Sequence, residues 1–364
     1  MSRGRSLPFV LAFTLLAAPA TAQQTHLLVI SGLSGDPVYA EQFSEWAGTL
    51  IGAAIERYEL APEQVTYLAE KTDADPDGID GRSTRENVEQ AFAAIAERAE
   101  PNDHVLVLLI GHGSYNGGES RFNLPGPDLT AEEYGFLLGP LRAQQVTFVN
   151  TATSSGGFIE ALSGEGRTVV TATRSGSQWN ETVFGGYFVS AYADAEEASD
   201  QNKDGRVSVL EAFEYAVREV ARVYESDGRL QTEHALLDDN GDGEGTREPD
   251  PLTTDGAMAR TLFITAGTGA GIAGLPDDPA LRALYQERLE LQEQIEGLQA
   301  TRGGTDEARY QAEMEQLLVA MALKSREIRT IEADVPEVAD AADAAAVVDA
   351  ADGVDDPDAA DPPR

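Results

Sequence analysis

The chain has 364 residues, a formal net charge of −37 and no cysteine. A field of that sign repels phosphate, which argues against nucleic acid or an anionic membrane surface as partner and favours calcium or basic surfaces. The missing thiols exclude a disulfide framework, a lipidated cysteine at a processing point and a thiol nucleophile.

The chain opens with Arg3 and Arg5, an apolar stretch from Leu7 to Ala18, and Ala20-Thr21-Ala22. This is the order of a secretory signal with an A-x-A cleavage site, so residues 1–22 read as a signal peptide and the mature chain as starting at Gln23. The apolar stretch is shorter than the roughly 20 residues that span a bilayer, and no later segment comes close. The expected product is soluble, and secreted or periplasmic.

Between His26 and Thr265, apolar runs of strand length alternate with helix-period stretches. The runs are Leu27 to Ile30, Val65 to Leu68, Val105 to Ile110, Val146 to Val149, Val169 to Ala172 and Leu262 to Ile264. Phe43, Trp46, Ala47, Leu50, Ile51, Ala54, Ile55 and Tyr58 form one apolar helix stripe. Ser83-x-x-Glu86 and Thr130-x-x-Glu133 have the spacing of capping boxes and announce two further helices. Continuous apolar strands separated by helices predict a doubly wound, mostly parallel α/β sheet of about six strands over residues 23–266.

Beyond this domain, residues 267–278 read as a Gly/Ala-rich linker and 279–332 as a helical hairpin. One seam runs through Leu281, Leu284, Leu291, Ile295 and Leu298, interrupted by Arg288. The other runs through Tyr310, Met314, Leu317, Met321, Ile328 and Ile331, interrupted by Lys324, with Thr301 to Gly304 as the turn. Such a heptad hairpin either packs on its own domain or seeks a partner, including a second copy. Residues 333–364 are rich in Ala, Asp and Pro without aromatics, the composition of a disordered acidic tail.

Two polar turns follow strands: Gly111-His112-Gly113, and Thr151-Ala152-Thr153-Ser154-Ser155-Gly156-Gly157. Ligands of open α/β sheets bind beyond the carboxyl ends of the strands, so both turns are expected to face one pocket. The pair resembles the legumain, caspase and gingipain group of cysteine peptidases, closest to the legumain type. The resemblance implies a caspase-like fold, with His112 at the catalytic histidine, Gly113 at the oxyanion-hole amide and Thr153 at the nucleophile position. It also implies a specificity pocket at Ser155, Arg174 and Ser175. Thr153 replaces the cysteine. A hydroxyl is a far weaker acid than a thiol of pKa about 8.5, and the β-methyl crowds its approach. The expectation is an exported, inactive peptidase-like domain that binds a peptide or protein. One alternative is an active peptidase or amidase using Thr153, Ser154 or Ser155 with His112, and another an assembly protein acting through the hairpin.

A further motif spans Asp200 to Glu211. It has the spacing of an EF-hand loop, with Asp200, Asn202, Asp204, the carbonyl of Arg206, Ser208 and Glu211 as the candidate calcium ligands. Asp238, Asn240 and Asp242 open a second such loop, but Pro249 stands where the closing acid belongs, and Glu248 or Asp250 reaches that place only after a backbone adjustment. This stretch reads either as a metal site or as an acidic turn. His26, His104 and His234 show no ligand spacing and read as structural.

Overall fold

The computed structural model describes residues 24–73, 78–101, 103–142, 144–194, 198–202 and 206–265, helical positions between 281 and 298, and the helix at 307–334. The signal segment, the linker at 267–278, Asp204 in the first acidic loop, the turn at 301–304 and the tail beyond 334 lie outside the described residues. The chain divides into two units, one ending at Gly274 and the other starting at Leu275.

The first unit is built on strands β1 (Thr25–Ser31), β2 (Val65–Ala69), β3 (Gly81–Arg82), β4 (His104–Ile110), β5 (Gly113–Tyr115), β6 (Ser120–Phe122), β7 (Leu129–Thr130), β8 (Gln145–Asn150), β9 (Arg167–Thr171) and β10 (Leu236–Asp238). Seven form one sheet in the order β10-β9-β8-β4-β1-β2-β3, and β5-β6-β7 form a small second sheet. Every pairing in the large sheet is parallel except β10 on β9. Its helices are α1 (Pro37–Gly52), α2 (Arg85–Arg98), α3 (Ala131–Leu137), α4 (Phe158–Leu162), α5 (Phe184–Asp194) and α6 (Val209–Ser226).

The apolar strand runs are buried on both faces. Leu27, Val29, Leu106, Leu108 and Ile110 join one core with α1, α5 and α6, whereas Leu28, Ile30, Val105, Val107 and Leu109 join another with α2, α3 and α4. Alternate side chains point to opposite faces, so a run apolar at every position is what a sheet covered by helices on both sides requires. The fold is a doubly wound, mostly parallel α/β sandwich.

Three local differences from the sequence reading have physical causes. The run Leu262 to Ile264 is not a strand of the sheet: it follows a 3₁₀ turn at Ala259–Thr261 and touches strand-like backbone through one bridge, Ser208 to Phe263. It is apolar because Leu262 and Ile264 are buried in the α6 core. The sheet edge is supplied instead by antiparallel β10. At α2 the cap is Thr84, whose hydroxyl accepts from the Asn87 amide, while the Ser83 hydroxyl donates to the Ser31 carbonyl at 2.6 Å. The Thr130 to Glu133 capping box forms as spaced, both reciprocal bonds being present.

In the second unit, α7 (Glu307–Asp334) carries Tyr310 and Ile328 as buried residues, and Leu281 and Ile295 are buried on the preceding helical stretch. Lys324 reaches Glu287 at 2.6 Å and Glu327 at 3.0 Å. The cation interrupting the seam thus bridges the two helical segments. No helix among the described residues is long and apolar enough to cross a membrane.

Candidate functional site

The parallel strands end side by side, and the turns that leave β1, β4, β8 and β9 rise from one edge of the sheet. His112 follows β4 and Thr153 follows β8, strands paired in register. Glycine permits the turns to touch: a Cβ on Gly113 would collide with the Thr153 carbonyl, and one on Gly156 with the backbone of Arg174 and Ser175. Ser154 adopts a left-handed conformation at φ 56°, and its amide donates to the Gln178 carbonyl at 2.8 Å. A non-glycine residue held there costs of order 1–2 kcal/mol, strain tolerated where a tight turn is fixed from all sides.

The Thr153 hydroxyl is committed at both ends. It accepts from the Gly113 amide at 3.0 Å and donates to the Gly113 carbonyl at 2.9 Å, and the residue is only 6% exposed. The amide that the resemblance assigns to an oxyanion hole is therefore already filled by the side chain at the nucleophile position. No hydrogen bond joins Thr153 to His112. The Ser155 hydroxyl is taken as well: the residue is buried and its Oγ lies 3.1 Å from Thr173 Oγ1, with Thr173 Oγ1 in turn receiving the Gly156 amide. Ser155 thus ties the turn to the segment that leaves β9. Ser175 pairs with Ser177 at 2.9 Å, and Arg174 is exposed.

His112 lies on the other side of this knot. Its half-buried ring meets Tyr39 and Phe43 edge-on, with centroids 4.6 and 5.2 Å away. Burial pushes its pKa down, opposed by a hydrogen bond to the Ser34 backbone and by the charge of Glu181. Glu181 accepts from the Tyr39 hydroxyl at 3.2 Å, so an acid, a phenol and the imidazole form one group beside the cleft. Next to them a cavity of about 80 Å³ opens between β1 and β2, with Phe43, Tyr67 and Ile79 as walls and Ser31, Ser34 and Glu70 as polar groups. Large apolar side chains stand exposed nearby: Leu33 after β1, Val38 at the start of α1, Tyr115 at the end of β5 and Trp179, the last at 74%.

Sequence reasoning missed Tyr39, Glu181 and the contact of Gln178 with His234, 2.6 Å apart. Each lies far along the chain from the glycine turns, and none carries a spacing of its own. Glu233 was missed as well. It is buried and receives the amides of Val183 and Phe184, pinning the start of α5 behind the Thr151 turn, where Thr182 donates to the Thr151 carbonyl at 2.7 Å.

In the first acidic loop, Glu211 turns back over the entering residues. One carboxylate oxygen accepts from Gln201 and Asn202, and the other from the amide and hydroxyl of Ser208, which caps α6. The carboxylate thus ties Gln201 and Asn202 to the N-terminal cap of α6. Among the described residues, no three His, Asp or Glu side chains form a ready metal centre.

No family model matches the chain, and no curated protein does. Among solved structures it is similar to protein GSU0716 from Geobacter sulfurreducens, with 12% identity, TM-score 0.40, and coverage of 66% of this chain and 98% of that one. It is also similar to drICE, a caspase, with 8% identity, TM-score 0.34, and coverage of 60% and 87%. The α/β class stands on the sheet order and the two cores described above.

Proposed function

We propose that this chain is an exported domain of the caspase and legumain type that has exchanged peptide hydrolysis for peptide or protein binding. The observation that carries the reading is the Thr153 hydroxyl locked on both polar groups of Gly113. A threonine nucleophile needs a base within hydrogen-bond reach and a free oxyanion donor. Here the hydroxyl has no bond to His112 and itself fills the donor. Ser154, buried in a left-handed turn, and Ser155, bonded to Thr173, offer no better attacking group.

Support for binding comes from the same edge of the sheet: the exposed Leu33, Val38, Tyr115 and Trp179, and the small apolar pocket beside His112. Apolar side chains around a concave site with a few polar groups are the usual make-up of a recognition cleft. Calcium at the Asp200 to Glu211 loop is proposed to stabilise the domain. Asp200, Asn202, Ser208 and Glu211 would hold it with the Arg206 carbonyl and Asp204, and the inward turn of Glu211 fits that role.

The test uses the mature full-length chain. Fluorogenic peptides with Asn, Asp or Arg before the scissile bond should give no turnover above a His112→Ala control. In a Trp46→Phe variant, whose remaining tryptophan is Trp179, the same peptides should change the emission. Turnover abolished by His112→Ala would overturn the reading, and so would an emission indifferent to every peptide. Thr153→Cys is expected to bring weak turnover, since His112 and Gly113 are in place.

A further inference from the structure

The turn after β10 gathers three buried carboxylates: Asp238 is 1% exposed, Asp239 6% and Asp255 2%. Asp239 is fully employed. Its oxygens receive the amides of Gly256, Met258 and Ala259 at 2.7 to 2.8 Å, so it caps the 3₁₀ turn that follows. Asp255 leans on the turn from the opposite direction, accepting from the Asp239 amide at 3.2 Å. Asp238 is different. One of its oxygens receives the Gly241 amide at 3.1 Å, while the other, Oδ2, is buried without any hydrogen-bond partner. No lysine or arginine forms an ion pair with any of the three among the described residues.

A buried carboxylate oxygen left unpaired beside two further acids lacks a cation. We propose that this turn is a divalent-cation site of calcium type, built from Asp238, Asn240 and Asp242 and closed by Asp255. Calcium takes six to eight oxygen ligands in flexible geometry, which suits carboxylates, an amide and backbone carbonyls drawn from a turn. Of the acids nearest the expected closing place, Asp250 spends one oxygen on the Leu252 amide at 3.0 Å and the other on the Thr253 hydroxyl at 2.8 Å. Asp255, farther along the chain, already leans on the turn. Among the described residues these carboxylates do not converge as a ready metal centre, so binding would be coupled to local folding of the turn. The site shares no residue with the Asp200 to Glu211 loop, and the two stand or fall separately.

The experiment titrates calcium chloride into the metal-free, full-length mature protein by calorimetry, in a Glu211→Gln background that removes the first loop. This protein is expected to take up one calcium ion, and adding Asp238→Asn or Asp255→Asn should weaken that uptake about tenfold or more. Melting keeps structural effects apart. In chelator, Asp238→Asn should melt no lower than its parent, because an unpaired buried charge has gone, yet it should lose the rise in melting temperature that calcium gives the parent. If Glu211→Gln does not fold, the wild type against Asp238→Asn reads the same loss as one ion fewer bound. Absence of calcium uptake in the Glu211→Gln protein, or equal uptake with and without the Asp238 and Asp255 substitutions, overturns the proposal.

Discussion

Replacing Thr153 by valine keeps the shape of the side chain and deletes only its hydroxyl. Two hydrogen bonds vanish, the one at 3.0 Å from the Gly113 amide and the one at 2.9 Å to the Gly113 carbonyl. Losing the bond to the carbonyl costs about 0.5–1.5 kcal/mol, and the amide left unpaired in a largely buried place costs about 1–3 kcal/mol. Together these give a loss of about 1.5–4.5 kcal/mol. A domain of about 240 residues loses about 2–4 °C per kcal/mol, so the melting temperature should fall by about 3–18 °C. Thr153→Ser retains both bonds and should stay within about 1 kcal/mol of the wild type. Urea unfolding of the three proteins, followed by circular dichroism, measures the differences. A valine variant within about 0.5 kcal/mol of the wild type, or a serine variant as damaged as the valine one, would refute the lock between Thr153 and Gly113.

Acid should expose the role of His104. Burial lowers its pKa from 6.5 to about 4, and its nitrogens lie 3.2 Å from the Phe263 carbonyl and 2.9 Å from the Thr147 hydroxyl. The unfolded chain takes up the proton first, so stability is lost as pH falls from about 6.5 towards 4, by about 2–3 kcal/mol. That slope should be missing from His104→Asn, and equal slopes in the two proteins would contradict it. Gly156→Ala should cost about 1–3 kcal/mol, since a Cβ would meet the Ser175 backbone, and thermal melts at neutral pH decide this. Deleting the chain from Leu275 onward should leave the melting of the α/β domain unchanged, while any oligomer of the full chain, read by sedimentation, should disappear. A fragment from Pro276 to Glu332 should give a helical circular-dichroism spectrum.

The central strands were legible because both faces of the sheet are covered, so β1 and β4 carry unbroken apolar runs, and β8 and β9 carry apolar runs interrupted only by threonine. The same rule misread Leu262 to Ile264, whose burial against α6 leaves the same trace in sequence as a strand. β3, with two residues, and β10, with three, are too short to carry a pattern, and β10 ends in the polar Asp238. At the site, His112 and Thr153 announced themselves through flanking glycines, because turns that touch cannot carry side chains there. Their environment did not. Tyr39 meets Glu181 across 142 positions and Gln178 meets His234 across 56, contacts set by the fold and by no local spacing. Asp255 escaped notice for a related reason: it lies beyond the loop, away from the fixed offset at which a closing acid was sought.

Ser154 gives the second turn a form of memory. Its left-handed backbone, fixed by the amide bond to Gln178, sets the bend that presents residue 153, and no atom of the residue 153 side chain takes part in that bond. The scaffold can thus persist while the presented group drifts, in the way a socket outlasts the tool it was shaped for. Glycine at 154 would relieve the torsional cost and leave the bend intact. On the proposed reading, a side-chain exchange at position 153 alters reactivity and leaves the bend at Ser154 in place.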